Sequence, residues 1–331
     1  MRKLFFLPQY HHGKASNPYC DNFLEVIKGD FYVIPKSKHI LPRGLELFLG
    51  SFKADIYILN WVESIGFLKG GFIQASLSIV SLLVISLRKR KIIWIFHNIH
   101  PHEGENFWSK VIKRLMFRLS DIIISHSGEA AKYAVQFARC PVYYKPHPVK
   151  IKDFGKWDGP VKDSVFYLWG DIYPYKGIVE FLKEARLQNV RSQILVVGKV
   201  VNEPIKNQIE SNLSDNIIFE NRRADFCEIA AQCKKSLYVV FPYIGDSVSS
   251  SGVLMDTLLM GGTPIGPNKG AFSDLAKQGC CITYNNLEEV FCFPTDDEHS
   301  LKLNPQNVYK FVNDNTWEAF GCWFINLMGS I

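Results

Sequence analysis

Residues 241–275 read FPYIGDSVSSSGVLMDTLLMGGTPIGPNKGAFSDL. An apolar strand at 237–241 leads into Pro242-Tyr243 and a polar loop, and a helix with apolar periodicity covers 251–260. Gly261-Gly262 closes that helix, a short strand follows at 264–266, and another helix opens at Gly270. Strands alternating with helices imply a parallel sheet covered on both faces. Serine hydroxyls cap helices well, and free amides at the positive end of a helix dipole attract anions. Ser249, Ser250, Ser251, Gly252 and Val253, with Pro242 and Tyr243 at the entry, therefore form a candidate phosphate cradle, with Gly252 letting backbone approach closely. The plainer alternative is an ordinary serine-capped helix.

The same rhythm extends in both directions. Downstream of residue 163, strands are expected at 164–169, 193–197, 217–220, 237–241, 264–266 and 281–283, with helices between them. Upstream, they are expected at 3–7, 31–34, 56–60, 92–97, 122–125 and 142–145. The two series are separated by residues 146–163, rich in Pro, Gly and charge, which read as a linker. The chain is thus an α/β protein of two parallel-sheet domains, 1–150 and 151–303, with an amphipathic helical end at 304–331. Open α/β sheets bind ligands at the carboxyl ends of their strands. Two loops there carry chemistry in the second domain. Gly170 to Gly177 (GDIYPYKG) brings Tyr175 and Lys176 to a helix start, where an ammonium can neutralise a pyrophosphate. Gly198-Lys199 follows the next strand.

In the first half, the strand ending Trp94-Ile95-Phe96 opens into His97-Asn98-Ile99-His100-Pro101-His102-Glu103. Metal binding, acid/base chemistry and hydrogen bonding to a substrate are all open to such a loop. The spacing is not that of a zinc helix, so no metal is assigned. As general bases, Glu103 and His102 come first and Glu63 of Asn60-Trp61-Val62-Glu63 next. The alternative is a structural, hydrogen-bonded loop. Asn17-Pro18-Tyr19 lies on the loop after the first strand.

Composition sets outer limits. The chain has 331 residues, 47% hydrophobic and 21% charged, with a net charge of +6. That excludes a disordered or fibrous chain. The basic excess favours anionic partners but is too small for a dedicated nucleic-acid binder. Eight scattered cysteines with no C-x-x-C pair read as free thiols of a reducing cytosol. The apolar run after Met1 is too short for a signal-peptide core and reads as the first strand.

Taken together, P-Y-K-G at 174–177, V-V-G-K at 196–199 and F-P-Y…S-S-G-V-L…G-G-T-P-I-G at 241–266 resemble the GT-B glycosyltransferases. The nearest group is the family-four-like sugar transferases of bacterial capsule, exopolysaccharide and cell-envelope assembly. H-N-I-H-P-H-E at 97–103, N-W-V-E at 60–63 and N-P-Y at 17–19 are similar to members of that group. The resemblance implies two Rossmann-like domains facing a cleft, with the final helix crossing back to the first domain. It further implies that the second domain holds a UDP- or GDP-hexose and the first an acceptor, a growing and lipid-linked glycan. On this reading Gly170, Tyr175, Lys176, Gly198, Lys199, Pro242, Tyr243 and Ser249–Val253 bind the donor. Asn17, Tyr19 and Asn98 lie on the acceptor side, and His97 touches the donor sugar or its phosphate. No cofactor or metal is implied beyond the nucleotide sugar itself. Departures from the pattern are Asp171, where the group has arginine, and Ser249 and Thr257, where it has a pair of glutamates. They keep a second reading in play, a non-catalytic nucleotide-sugar-binding subunit that partners an active transferase.

Two stretches bear on membranes. Residues 72–87 are mostly apolar and precede Arg88-Lys89-Arg90-Lys91, and they read as a buried helix, with membrane insertion as the alternative. Residues 108–119 are basic and amphipathic and read as a domain helix with a charged outer face, with contact to an anionic membrane surface as the alternative. The expected location is cytoplasmic, with a peripheral position on the inner face of the cell membrane as the alternative.

Overall fold

The computed structural model describes residues 1–9, 17–35, 40–100, 104–245 and 251–330. The chain divides into two compact units, Met1–Pro148 with Thr316–Ile331, and Val149–Asn315.

The first unit is built on six parallel strands: β1 (Lys3–Leu7), β2 (Tyr32–Val33), β3 (Ile56–Asn60), β4 (Lys91–Phe96), β5 (Ile122–Ser125) and β6 (Val142–Tyr144). Their order is β2-β1-β3-β4-β5-β6. The central runs IYILN and KIIWIF are apolar almost throughout, and both faces of these strands are buried, which is what a covered parallel sheet demands. Helices α1 (Pro18–Ile27), α2 (Arg43–Gly50), α3 (Gly71–Leu87), α4 (Phe107–Leu119) and α5 (Gly128–Val135) supply the cover. Polar caps fix several of their starts: Asn17 for α1, an Asn106/Ser109 capping box for α4 and Ser127 for α5. Among the described residues, no helix is long and apolar enough to cross a membrane.

In the second unit, β7 (Phe166–Trp169), β8 (Ile194–Val197), β9 (Ile217–Glu220), β10 (Tyr238–Val240), β11 (Pro264–Pro267) and β12 (Ile282–Tyr284) are again all parallel. Their order is β12-β11-β10-β7-β8-β9. The chain winds outward from β7 in one direction, then returns to begin the other half at β10. The seam between β7 and β10 is thus a topological switch point, where loops diverge and leave a crevice. Around the sheet lie α6 (Ile178–Leu187), α7 (Glu203–Glu210), α8 (Phe226–Lys235), α9 (Gly252–Leu259), α10 (Gly270–Ala276), α11 (Leu287–Phe291) and α12 (Pro305–Asp314).

The helical end does not behave as one piece. Phe311 of α12 is buried in the second unit's core. The last helix, α13 (Trp317–Gly329), belongs to the first unit, where Trp317, Phe320, Phe324 and Met328 pack with Tyr19, Phe23 and Ile27. Each such buried aromatic stabilises the fold by about 1.5–3 kcal/mol relative to exposure. A Cβ on Gly321 would come within 2.8 Å of the Val26 side chain, so the helix approaches α1 closely there. The return to the first unit falls at Thr316, later than the sequence pattern suggested, because Phe311 anchors the preceding helix elsewhere.

Candidate functional site

At the β7/β10 switch point, three loops converge. β7 ends at Trp169, and Gly170 follows with φ +97°, a left-handed conformation that favours glycine. A Cβ at this position would lie 3.4 Å from the Lys176 ammonium nitrogen and 4.0 Å from the Val253 methyls. Gly170, Lys176 and the start of α9 therefore share one small space. Gly198 is pressed against the Gly170 carbonyl, where a Cβ would sit only 2.1 Å from the oxygen. Gly177, at φ +66°, abuts the Pro242 carbonyl, 1.9 Å from where a Cβ would stand. These positions require glycine for close approach of backbones, not merely for turning. The Ile244 amide donates to the Tyr175 carbonyl at 2.9 Å, tying the β10 loop to the β7 loop. The Tyr175 ring stacks on Tyr173 and meets Tyr243 edge-on at 5.9 Å.

Lys176 is buried. Burial drives its ammonium down to about 8, with the Asp171 carboxylate pulling the other way. The charge thus survives at neutral pH inside a poorly solvated pocket, where an anion gains more from it than in water. Ser251 caps α9, accepting from the Leu254 amide at 3.2 Å, and contacts the Tyr243 hydroxyl. Of the expected donor-side residues, Gly170, Tyr175, Lys176, Gly198, Pro242, Tyr243, Ser251, Gly252 and Val253 all lie on these loops. Lys199 is on the same edge but exposed, its carbonyl accepting from the Ile172 amide at 2.8 Å. Ser249 and Ser250 lie outside the described residues.

The departures from the family pattern have structural fillings. Asp171 holds the Arg223 guanidinium with two bonds of 2.9 and 2.8 Å. Thr257 is fully buried, accepting from the Trp169 indole at 3.0 Å and donating to the Val253 carbonyl at 2.9 Å.

The first unit's carboxyl edge has a different character. Asn60, at the end of β3, donates to the Leu7 carbonyl at 2.9 Å, so its oxygen faces the His97 Nε2 at 3.0 Å. His97 must then carry its proton on Nε2. Its ring stacks on Trp61 at 4.4 Å, and Trp61 itself is left-handed at φ 50°. Tyr19 sits beside His97, His126, His147 and Trp317, with ring centroids 4.9, 5.3, 5.4 and 5.1 Å away. The His126 Nδ1 donates to the Lys145 carbonyl at 2.8 Å, so its Nε2 accepts from the Tyr19 hydroxyl at 2.6 Å. Burial, then mutual repulsion, holds His97 well below the usual imidazole range and His126 near 3. Burial takes His147 to about 4. All three imidazoles are neutral at physiological pH.

Asn98 is nearly buried next to His97. Asn17 serves as the cap of α1, accepting from the Tyr19 amide at 2.9 Å. Glu63 is 2% exposed, on the short 3-10 helix Val62–Phe67 after β3. Burial raises its carboxyl to about 7, and among the described residues its Oε2 has no hydrogen-bond partner. Glu103 and His102 lie outside the described residues. Sequence reasoning missed His126 and His147. The run Ser125-His126-Ser127 reads as a helix cap, which Ser127 indeed provides by accepting from the Ala130 amide. The available signal was position, since His126 directly follows a strand at the sheet's carboxyl edge.

Among the described residues, no group of three or more His, Cys, Asp or Glu side chains could hold a metal ion.

No family model matches the chain, and no curated protein matches it. Solved structures do, and they define its class as the GT-B fold. Anabaena HepE in complex with UDP and glucose matches with a TM-score of 0.73 at 12% identity, covering 100% of both chains. A trehalose-6-phosphate synthase, OtsA, matches with a TM-score of 0.64 at 10% identity, covering 100% of this chain and 99% of its own. The UDP-forming α,α-trehalose-phosphate synthase of Burkholderia vietnamiensis gives 0.63 at 9% identity, with the same coverage. At such identities the likeness is one of fold, and the α/β GT-B fold expected from the sequence is borne out.

Proposed function

We propose that this chain is a glycosyltransferase, moving a hexose from UDP- or GDP-sugar to a hydroxyl of a growing, lipid-linked glycan. The reading places it with the family-four-like transferases of capsule and exopolysaccharide assembly. The observation that carries it is the buried Lys176 ammonium, set under Gly170 and beside the start of α9 at the switch point of the second sheet. A nucleoside diphosphate needs such a place. As the glycosidic bond to phosphate breaks, negative charge grows on the leaving oxygen, and a preorganised cation stabilises it without solvent reorganisation. Gly177 and Gly198 let the three loops close on one another around Gly170 and Lys176, and Tyr175 and Tyr243 pack beside them. The UDP complexes of HepE support the choice of donor class.

For the acceptor, Glu103 or His102 serves as the base that takes the hydroxyl proton. Neutral His97, held by Asn60 and Trp61, offers a hydrogen bond without competing charge. Asn17, Tyr19 and Asn98 line the acceptor side. In this scheme no metal is needed, because lysine and helix amides supply the positive charge.

One observation favours the second reading, a nucleotide-sugar-binding subunit without turnover. Thr257 stands where the resembling family has a glutamate, and its hydroxyl is fully spent on Trp169 and Val253. A panel of nucleotide sugars, with products read by mass spectrometry, separates the two. Transfer or slow donor hydrolysis is expected, and Lys176→Ala should reduce it by about a hundredfold or more. Donor binding with no turnover from any donor would decide for the subunit.

A further inference from the structure

Helix α3 lies between α2 and α4 over one face of the first sheet. Its inner side buries Gln74, Ala75, Ser78, Ser81, Leu82 and Ile85. Its outer side is apolar as well. Phe72 and Ile73 are each 63% exposed, Val80 45%, Leu83 44% and Leu87 82%. Positions 73, 80, 83 and 87 recur at helical spacing, so they form a continuous stripe. The surface continues onto both neighbours. Leu49 and Phe52, at the end of α2, are exposed, and so is Phe107 at the start of α4. The Phe107 ring meets Trp108 edge-on, and Trp108 in turn meets Phe72 at 5.2 Å. Single exposed apolar residues are ordinary, but a contiguous set spread over three helices marks an interaction surface.

The charges around the patch identify what it meets. No acidic or basic residue occurs anywhere in 71–87. Lys69 stands before the helix, and Lys53 and Lys89 stand by its other end, all exposed. The Arg88 guanidinium lies over the Phe52 ring, 5.8 Å from its centroid. The nearby carboxylates are already engaged or enclosed: Asp55 pairs with Arg90, Glu105 with Lys113, and Glu46 is buried. An apolar stripe framed by cations, with the neighbouring described carboxylates paired or buried, suits an anionic lipid surface, with acyl chains under the stripe and headgroups at its ends. At 17 residues the helix is about 25 Å long, too short to span a bilayer and suited to lie in its plane.

We propose that the outer face of α3, with Leu49, Phe52 and Phe107, is a docking surface for an anionic bilayer. Beyond Phe107, helix α4 is not part of this surface, since its apolar residues Ile112, Met116 and Phe117 are committed to the core. α3 follows β3, so its Phe72 end lies toward the carboxyl edge that carries His97 and Tyr19. The purpose of the surface rests on the transferase reading, since docking there would bring a lipid-linked acceptor to that edge. Its existence does not depend on that reading.

Sedimentation with phosphatidylcholine vesicles, with and without phosphatidylglycerol, tests it directly. The full chain should bind the anionic vesicles, more weakly as salt rises, and bind the neutral ones far less. Leu83→Glu and Leu87→Glu should each lower binding at least about tenfold, and Lys89→Gln roughly fivefold. These side chains are exposed, so melting temperatures should not move. A wild-type chain that stays in the supernatant overturns the proposal, as does vesicle binding that ignores all three variants. Self-association that Leu83→Glu abolishes, without vesicle binding, would overturn it in favour of a second copy. Thermal shift with UDP- and GDP-sugars, run on the same proteins, keeps the two readings apart. Vesicle binding without donor binding would leave this surface standing and remove the transferase.

Discussion

The carboxyl edges of the two sheets differ in how they hold polar groups. In the second unit the edge is made of glycine, backbone and one buried ammonium. In the first it is made of rings, with three neutral imidazoles and Trp317 packed around Tyr19 and Trp61 stacked on His97. One edge carries a buried charge, the other is neutral and filled with rings. For glycosyl transfer this is a sensible division. On the proposed reading, the departing diphosphate needs charge, whereas an acceptor hydroxyl needs orientation and a base.

Acid should break the comparison most strongly on the first side. His126 and His147 titrate near 3 and 4 in the folded chain, against 6.5 when exposed. The unfolded state therefore binds protons first, so stability is full above pH 6.5 and falls as pH drops toward 4. Each imidazole contributes on the order of 1.4 kcal/mol per pH unit. Denaturant melts across that range should show a loss of several kcal/mol, with the Trp61 and Trp317 surroundings unfolding early. His126→Phe should flatten the slope.

Alkali should act on the other side, and less. Lys176 is protonated below about 8 and loses its charge above. Affinity for a nucleoside diphosphate should hold from pH 6 to 8 and then fall, by up to about tenfold for each further pH unit. Calorimetric titration of UDP reads this directly. An affinity that rises between pH 8 and 9 would remove Lys176 from the site.

Much of the second edge was legible because it is written in local code. Gly170, Lys176 and Gly177 fall within eight residues of one another, and Ser251-Gly252-Val253 starts a helix directly after a strand. Glycine at a strand end and lysine at a helix start have few other reasons to occur together. The first edge was legible only in part. Its partners come from five separate strand ends, so Tyr19 meets His126 across more than a hundred residues of sequence, a link no local motif carries. Glu63 shows the converse failure. N-W-V-E looks like an open strand-end loop, yet the left-handed Trp61 turns the chain into a short helix and buries the carboxyl. The apolar 72–87 run was legible as a helix, but composition alone could not assign its outer stripe.

The smallest effect sharpens the contrast further. Thr257→Val keeps the shape of the side chain but removes the acceptor for the buried Trp169 indole and the donor to Val253. One buried donor left unsatisfied costs about 1 kcal/mol or slightly more, visible as a small drop in the denaturation midpoint. UDP affinity should stay the same, because Thr257 is sealed inside α9's inner face while Lys176 supplies the charge. If the variant instead lost donor binding with its stability intact, the threonine would be acting on the ligand. The division between a charged edge and a neutral one would then have to include a hydroxyl on the charged side.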